Sequence, residues 1–547
     1  MNGYAVSRAS LSHEEKLSLI DDRPLSDVES ESARMDLEGQ FSSIHWAATA
    51  KAYCHGLRLS SWSSTILRMG VFLLPSFFQH RSARERFRTE KLHPTAYLDG
   101  MRGLAALFVF FCHYFYTAFK IAEGWGHDGV NHEIWRLPFI RLLYSGPSMV
   151  CVFFVISGYA LSLKPLKQAR SRSFDGFSQT MTSFIFRRFF RLYLPPFIST
   201  FGVLILLRLG VYELTRDFSS DRTYVRNVVE HHPVLEETTQ KQLWHWMREM
   251  YDFVHVWGWE KFGGATGYDV HLWTIPVEFR CSMMLFLVML GTARLRTGVR
   301  LLCLAVLMWF VLRSDRWEML LFLSGMAIAE LDLIRGAHLH HEPSPRPPPP
   351  PPPPPPSSSS PPASPPLLPL DKTSDSSSPA AKRRHSCTGS FWWTLLSIPA
   401  LYMMSEPDAG PSGVPGWEYL ETLIPAWFSD KYRYYQMIGS ILFVSCAARS
   451  AGWRRFFCYP FVQYFGRISY ALYLMHGPVT HTVGFLVQRR VWDRVGTVGY
   501  AYNWGMLVAG VINIPLVIWV ADVFWRAVDA PTVRFAKWLE VKMSIAE

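Results

Sequence analysis

The chain has 547 residues, 49% of them hydrophobic and only 18% charged, a balance that excludes an ordinary soluble multidomain protein and points to a polytopic membrane protein. Basic residues outnumber acidic ones by 55 to 44, but they cluster between apolar runs, where retention of positive loops in the cytosol explains them; a nucleic-acid partner is rejected on that ground. The eight cysteines are scattered without paired ligand spacing, so no disulfide framework, no zinc site and no resident cofactor is expected.

In chain order, residues 1–60 carry polar and acidic clusters such as IDDRPLSDVESES and no apolar signal core, the composition of a disordered cytosolic tail. Residues 61–91 read as an interfacial helix, apolar over 62–78, anchored by the basic RSARERFRTEK that follows. A first membrane part, 92–335, is expected to hold spans at 97–119, 146–164, 184–208, 271–292, 298–313 and 317–335. Between the second and third of these lie Lys164, Lys167, Arg170, Arg172, Arg187, Arg188 and Arg191, which mark a cytosolic loop. The segment 209–270 is acidic on balance and contains WHWMREMYDFVHVWGW, the pattern of an aromatic amphipathic helix at a membrane surface.

Residues 336–390 form a Pro/Ser-rich linker with ten consecutive prolines at 347–356. Such a run is extended polyproline II, cannot join a packed core, and is the kind of segment an SH3 or WW-type partner binds. A second membrane part, 391–530, is expected to hold spans at 391–405, 434–450, 462–487 and 500–526, followed by a C-terminal tail at 531–547. The expected fold is therefore an all-α transmembrane bundle of about ten spans with both termini in the cytosol, an orientation that Arg489, Arg490 and Arg494 run against.

The first span, YLDGMRGLAALFVFFCHYFYTAF, is the most informative stretch. Arg102 and His113 are eleven residues apart, so on a helix they share a face and differ in height by about 16 Å. With Arg102 at the edge of the hydrocarbon, His113 lies near the bilayer midplane, where an ionisable side chain is costly and therefore a functional candidate; packing glue between helices is the plainer alternative.

This LDGMRGLAALFVFFCHY block resembles the first-helix signature of the acyltransferase-3 family of integral-membrane O-acyltransferases. Four further blocks resemble that family in the same order: FFVISGYALS at 153–162, RRFFRLYLPP at 187–196, HLWTIPVEF at 271–279 and GRISYALYLMHGP at 466–478. Their style is that of the fungal branch. The resemblance implies that 92–335 and 391–530 are two parts of one acyltransferase membrane domain, and that an acyl group moves from a thioester donor, acyl-CoA, to a hydroxyl of a small molecule, lipid or sugar.

Such a transfer needs a base for the hydroxyl proton, charge stabilisation for the tetrahedral oxyanion, and a grip on the donor. His113 is the expected general base. Arg102, oriented by Asp99 three residues before it and helped by Arg191, is expected to hold donor phosphates, although Arg191 also reads as a plain cytosolic anchor. Glu278, seven residues after His271 and on nearly the same helical face, is expected to orient His113 or His476. His476, followed by Gly477 and Pro478, is expected to line a cavity at a helix break. Two other classes compete: a proton-coupled transporter using the same buried His and Glu residues, for which the chain lacks a matching repeat, and a non-catalytic family member acting as a scaffold through its proline run.

Overall fold

The computed structural model describes residues 69–78, 92–258, 264–336 and 379–544, with backbone alone over 379–389. Most of the 1–60 and 336–390 segments, including the proline run, lies outside the described residues. Among those residues the protein is helical, with no strand beyond an isolated bridge between Thr266 and Asp269.

The principal helices are α1 (Ala96–Tyr116), α2 (Gly146–Arg170), α3 (Phe174–Arg208), α4 (Glu213–Ser220) and α5 (Thr239–Val254), then α6 (Thr274–Thr292), α7 (Thr297–Arg313) and α8 (Trp317–Ile334). After the linker come α9 (Pro379–Met404), α10 (Trp417–Thr422), α11 (Arg433–Arg449), α12 (Ala451–Phe457), α13 (Pro460–Val479), α14 (Phe485–Val495), α15 (Tyr500–Phe524) and α16 (Ala530–Met543). The aromatic helix at 239–254 starts at Thr238, whose hydroxyl accepts from the Lys241 amide.

The expectation of about ten spans is corrected. Four helical stretches among the described residues are long and apolar enough to cross a bilayer: Gly146–Arg170, Phe174–Arg208, Val270–Thr292 and Tyr500–Met543. The remaining apolar segments do form helices, but α7 and α11 have only 17 residues each, and α8 carries Glu318, Glu330 and Asp332. Polar residues dilute α1 (Asp99, Arg102, His113) and α13 (Gln463, Arg467, His476) in the same way. Several of these polar groups pair between helices inside the bundle, as Glu330 does with Arg300 and Asp332 with Arg449, so the helices that carry them need less apolar surface than a helix facing lipid.

Helices α1 and α13 meet backbone to backbone. A Cβ on Gly103 would stand 2.2 Å from the Gly466 nitrogen, and one on Gly466 would stand 2.7 Å from the Asp99 carbonyl oxygen. Helices α2 and α8 cross as closely, with Gly158 against the Phe322 carbonyl and Gly325 against that of Val155. The charged ends are tied internally: Glu330 takes Arg300 at 2.8 Å and Arg170 at 3.2 Å, and Asp332 takes Arg449 at 3.1 Å. Of the 62–78 stretch, the described part lies on α15, where the Ser76 amide and hydroxyl donate to Asp522 and Arg526 donates to the Phe72 carbonyl. Helix α16 rests on α3, with Arg187 and Glu540 3.2 Å apart.

Candidate active site

The close contact of α1 with α13 brings His113, near the end of one, beside His476, near the end of the other. Their rings stack with centroids 5.2 Å apart. A third imidazole completes the group: His271, in the turn Val270–Trp273 that leads into α6, lies 4.2 Å from His113 and 4.7 Å from His476, centroid to centroid. Gly477 permits the approach, because a Cβ there would fall 2.8 Å from His271 Nδ1 and 3.2 Å from Asp269 Oδ1.

His271 is 4% exposed and sits between two carboxylates. Asp269 caps the turn: its Oδ1 accepts the His271 backbone amide at 3.0 Å and Nδ1–H at 2.8 Å. On the other side, Glu230 Oε1 is 2.8 Å from His271 Nε2. Glu230 also receives His481 at Oε2, 2.5 Å away, from the π-helical turn Thr480–Gly484. Beyond His481 stands His232, with ring centroids 5.3 Å apart and its Nδ1 3.2 Å from the Tyr212 carbonyl oxygen. A line of imidazoles and carboxylates thus runs from the three-histidine cluster into the segment between α4 and α5.

Electrostatics reflect this contact. Burial alone would raise the Glu230 carboxyl, but the adjacent His271 and His481 outweigh it and hold the group well below the usual carboxylate range. Burial and the neighbouring His481 push His232 down to about 3, so it stands neutral.

Of the residues singled out from the sequence, His113 and His476 lie side by side. Glu278 is engaged elsewhere: its Oε1 takes Arg188 at 2.8 Å and the Ser157 hydroxyl at 3.2 Å, and Arg188 also donates to Ser282. Arg102 lies one uninterrupted helix away from His113. It contacts Asp99 at 3.2 Å and donates to the Ser469 hydroxyl and the Gly466 carbonyl, which fixes the guanidinium against α13. Arg191 is half-buried on α3, one turn beyond Arg188.

The sequence reading missed His271 as a site residue, together with Asp269, Glu230 and His481. Asp269 two residues before His271 is a local cue, since an aspartate at that offset bonds the following backbone and imidazole. No local pattern marks Glu230, which reaches the site from a distant segment, while His481 follows His476 by five residues through a π-helical turn that helical spacing does not announce.

The acyltransferase domain family matches residues 95–526. The chain belongs to this acyltransferase-3 family, in its fungal style, and is an integral-membrane, multi-pass O-acyltransferase. It is 32% identical over 485 residues to the O-acetyltransferase PaAT-1 of Phomopsis amygdali, covering 85% of this chain and 87% of that protein. It is 24% identical over 499 residues to an acyltransferase of Cochliobolus lunatus (80% and 94%) and 25% identical over 285 residues to one from a Phoma species (43% and 57%). No solved structure matches the chain.

Proposed function

We propose that the protein transfers an acyl group, acetyl in the first instance, from acyl-CoA to a hydroxyl of a small molecule, lipid or sugar, with His113 as general base. The observation that carries this reading is the buried junction of His113 with His476 and His271, on the helix that presents Arg102 about 16 Å away. That span suits a donor whose phosphates sit at one end while its thioester reaches the other. The relative named as an O-acetyltransferase supports acetyl as the group moved.

In the proposed reaction His113 takes the proton of the acceptor hydroxyl as its oxygen attacks the thioester carbonyl. The tetrahedral intermediate collapses, the C–S bond breaks, and the imidazolium returns the proton to the leaving thiolate. His476 stands beside His113 as a second proton acceptor. Arg102, steadied by Asp99, and Arg191 hold the donor phosphates; guanidinium stays charged and meets phosphate oxygens two at a time. Glu278 acts through Arg188, fixing α3 against α6. Both termini lie on the cytosolic side in this reading, which the basic residues between Lys164 and Arg191 support.

The test is purified protein in detergent, with thiol release from acetyl-CoA followed in the presence of candidate acceptors. His113→Ala is expected to abolish release while circular dichroism remains helical; turnover retained in that variant overturns His113 as base. Arg102→Ala is expected to raise KM for the donor more than it lowers kcat.

A further inference from the structure

Three imidazole nitrogens in the cluster are buried with no hydrogen-bond partner: His113 Nδ1, His271 Nε2 and His476 Nε2. One ring nitrogen from each of His113, His271 and His476 lies within 4.8 Å of the other two. Buried polar atoms left this way in a native interior call for an occupant, either water or an ion.

Tautomers narrow the choice. His476 Nδ1 faces the Leu472 carbonyl oxygen at 3.2 Å, and a carbonyl only accepts, so the proton sits on Nδ1 and the Nε2 lone pair points into the cluster. In His271 the acceptor-only Asp269 fixes the proton on Nδ1 in the same way, again leaving Nε2 inward. That nitrogen stands 2.8 Å from Glu230 Oε1 in an ion pair, whose proton an incoming metal ion would displace.

We infer that His113, His271 and His476 form a binding site for one zinc-like divalent metal ion. Three imidazoles are a donor set suited to zinc, copper or nickel. Asp269 and the Leu472 carbonyl play the outer part usual at such centres, holding the remote nitrogen of His271 and of His476 so that the inner one is basic. The centroid separations of 4.2, 4.7 and 5.2 Å bracket the roughly 5 Å expected of imidazoles on one tetrahedral ion at a metal–nitrogen distance of about 2 Å. Small rotations of the rings close the remaining gap. The ion would occupy the same lone pairs that the proposed acyl transfer uses, so the loaded protein is expected to be inhibited. That inhibition rests on the reading of His113 as base; the binding does not.

The experiment uses the full chain purified in detergent, stripped with a chelator and then titrated with Zn2+ by calorimetry and with Co2+ by visible absorption. One ion per chain with a tetrahedral Co2+ spectrum is expected. His271→Ala and His476→Ala are expected to lose that spectrum, Asp269→Asn to weaken binding by about 10 to 100-fold, and His245→Ala, whose imidazole bonds Tyr268 outside the cluster, to bind as wild type. Because an alanine variant can fail to fold, a rise in the melting temperature of the wild-type protein on adding Zn2+ is a second readout. No stoichiometric binding by the wild-type protein, the result if a proton or water alone fills the cluster, overturns the inference, as does binding unchanged in both histidine variants. Stoichiometric binding without loss of thiol release upholds the site and counts instead against His113 as base.

Discussion

Replacing Gly103 by alanine tests whether the spacing of α1 and α13 sets the geometry of the histidines. The added Cβ would lie 2.2 Å from the Gly466 nitrogen and 2.4 Å from the Phe465 carbonyl carbon, against an ordinary contact of at least 3.4 Å. Both atoms are backbone and neither can swing away, so the helices must part by about 1 Å. Overpacking of this kind costs about 1 to 3 kcal/mol. A 1 Å displacement of reacting groups costs about 100-fold in rate. Gly103→Ala should therefore lower the melting temperature and reduce kcat for acyl transfer by about two orders of magnitude, with KM for the donor changed much less. Gly291→Ala on α6 is the control, since nothing lies within 4 Å of its Cβ position; it should keep full activity and gain about 0.5 to 1 kcal/mol. Thiol-release kinetics and thermal unfolding of the two variants side by side decide the matter. A Gly103→Ala protein with wild-type kcat would refute the link between helix spacing and catalysis, whatever its stability.

Glu230→Gln removes the charge shared by His271 and His481. A charge-assisted hydrogen bond is worth about 1.5 to 3 kcal/mol, so kcat should fall by about 10 to 100-fold, with initial rates the check and an unchanged kcat the refutation. Glu278→Gln withdraws the carboxylate from Arg188 and should lower stability by about 2 kcal/mol; a loss of kcat at unchanged melting temperature would show that Glu278 acts directly on the chemistry. Burial raises the Glu406 carboxyl from 4.5 to about 9. The folded state then holds more protons than the unfolded one between those values, so its stability is greatest below about pH 4.5 and declines as pH rises through 9. Glu406→Gln stays neutral, so it should melt with wild type at pH 5 and above it at pH 9; a flat or reversed difference in a pH series of melting curves would refute the assignment.

What was legible in the sequence was local. Arg102 and His113 declare themselves because helical periodicity puts both on one face of an apolar run, and the aromatic pattern from Trp244 onward marks a helix, whose observed bounds are Thr239–Val254. The number of spans was not legible. Apolar stretches read alike whether their neighbours are lipid or protein, and α8, with three carboxylates neutralised by arginines from other helices, belongs to the second kind. The partner of Glu278 was out of reach for the same reason: its face is inferred from His271, whereas it pairs with Arg188, which no spacing within α6 reveals. His271 was overlooked because what singles it out, carboxylates on both sides, comes half from the adjacent Asp269 and half from Glu230 on another segment.

The proposed reactive centre is contributed by α1, the turn before α6, α13 and the stretch before α5, with the final histidines arriving long after the first. A nascent polypeptide emerging from the ribosome therefore possesses no competent chemistry until its closing helices have been made and inserted. Prematurely terminated copies should be inert toward cellular thioesters rather than partly active, so synthesis itself guards the donor pool against unfinished enzyme.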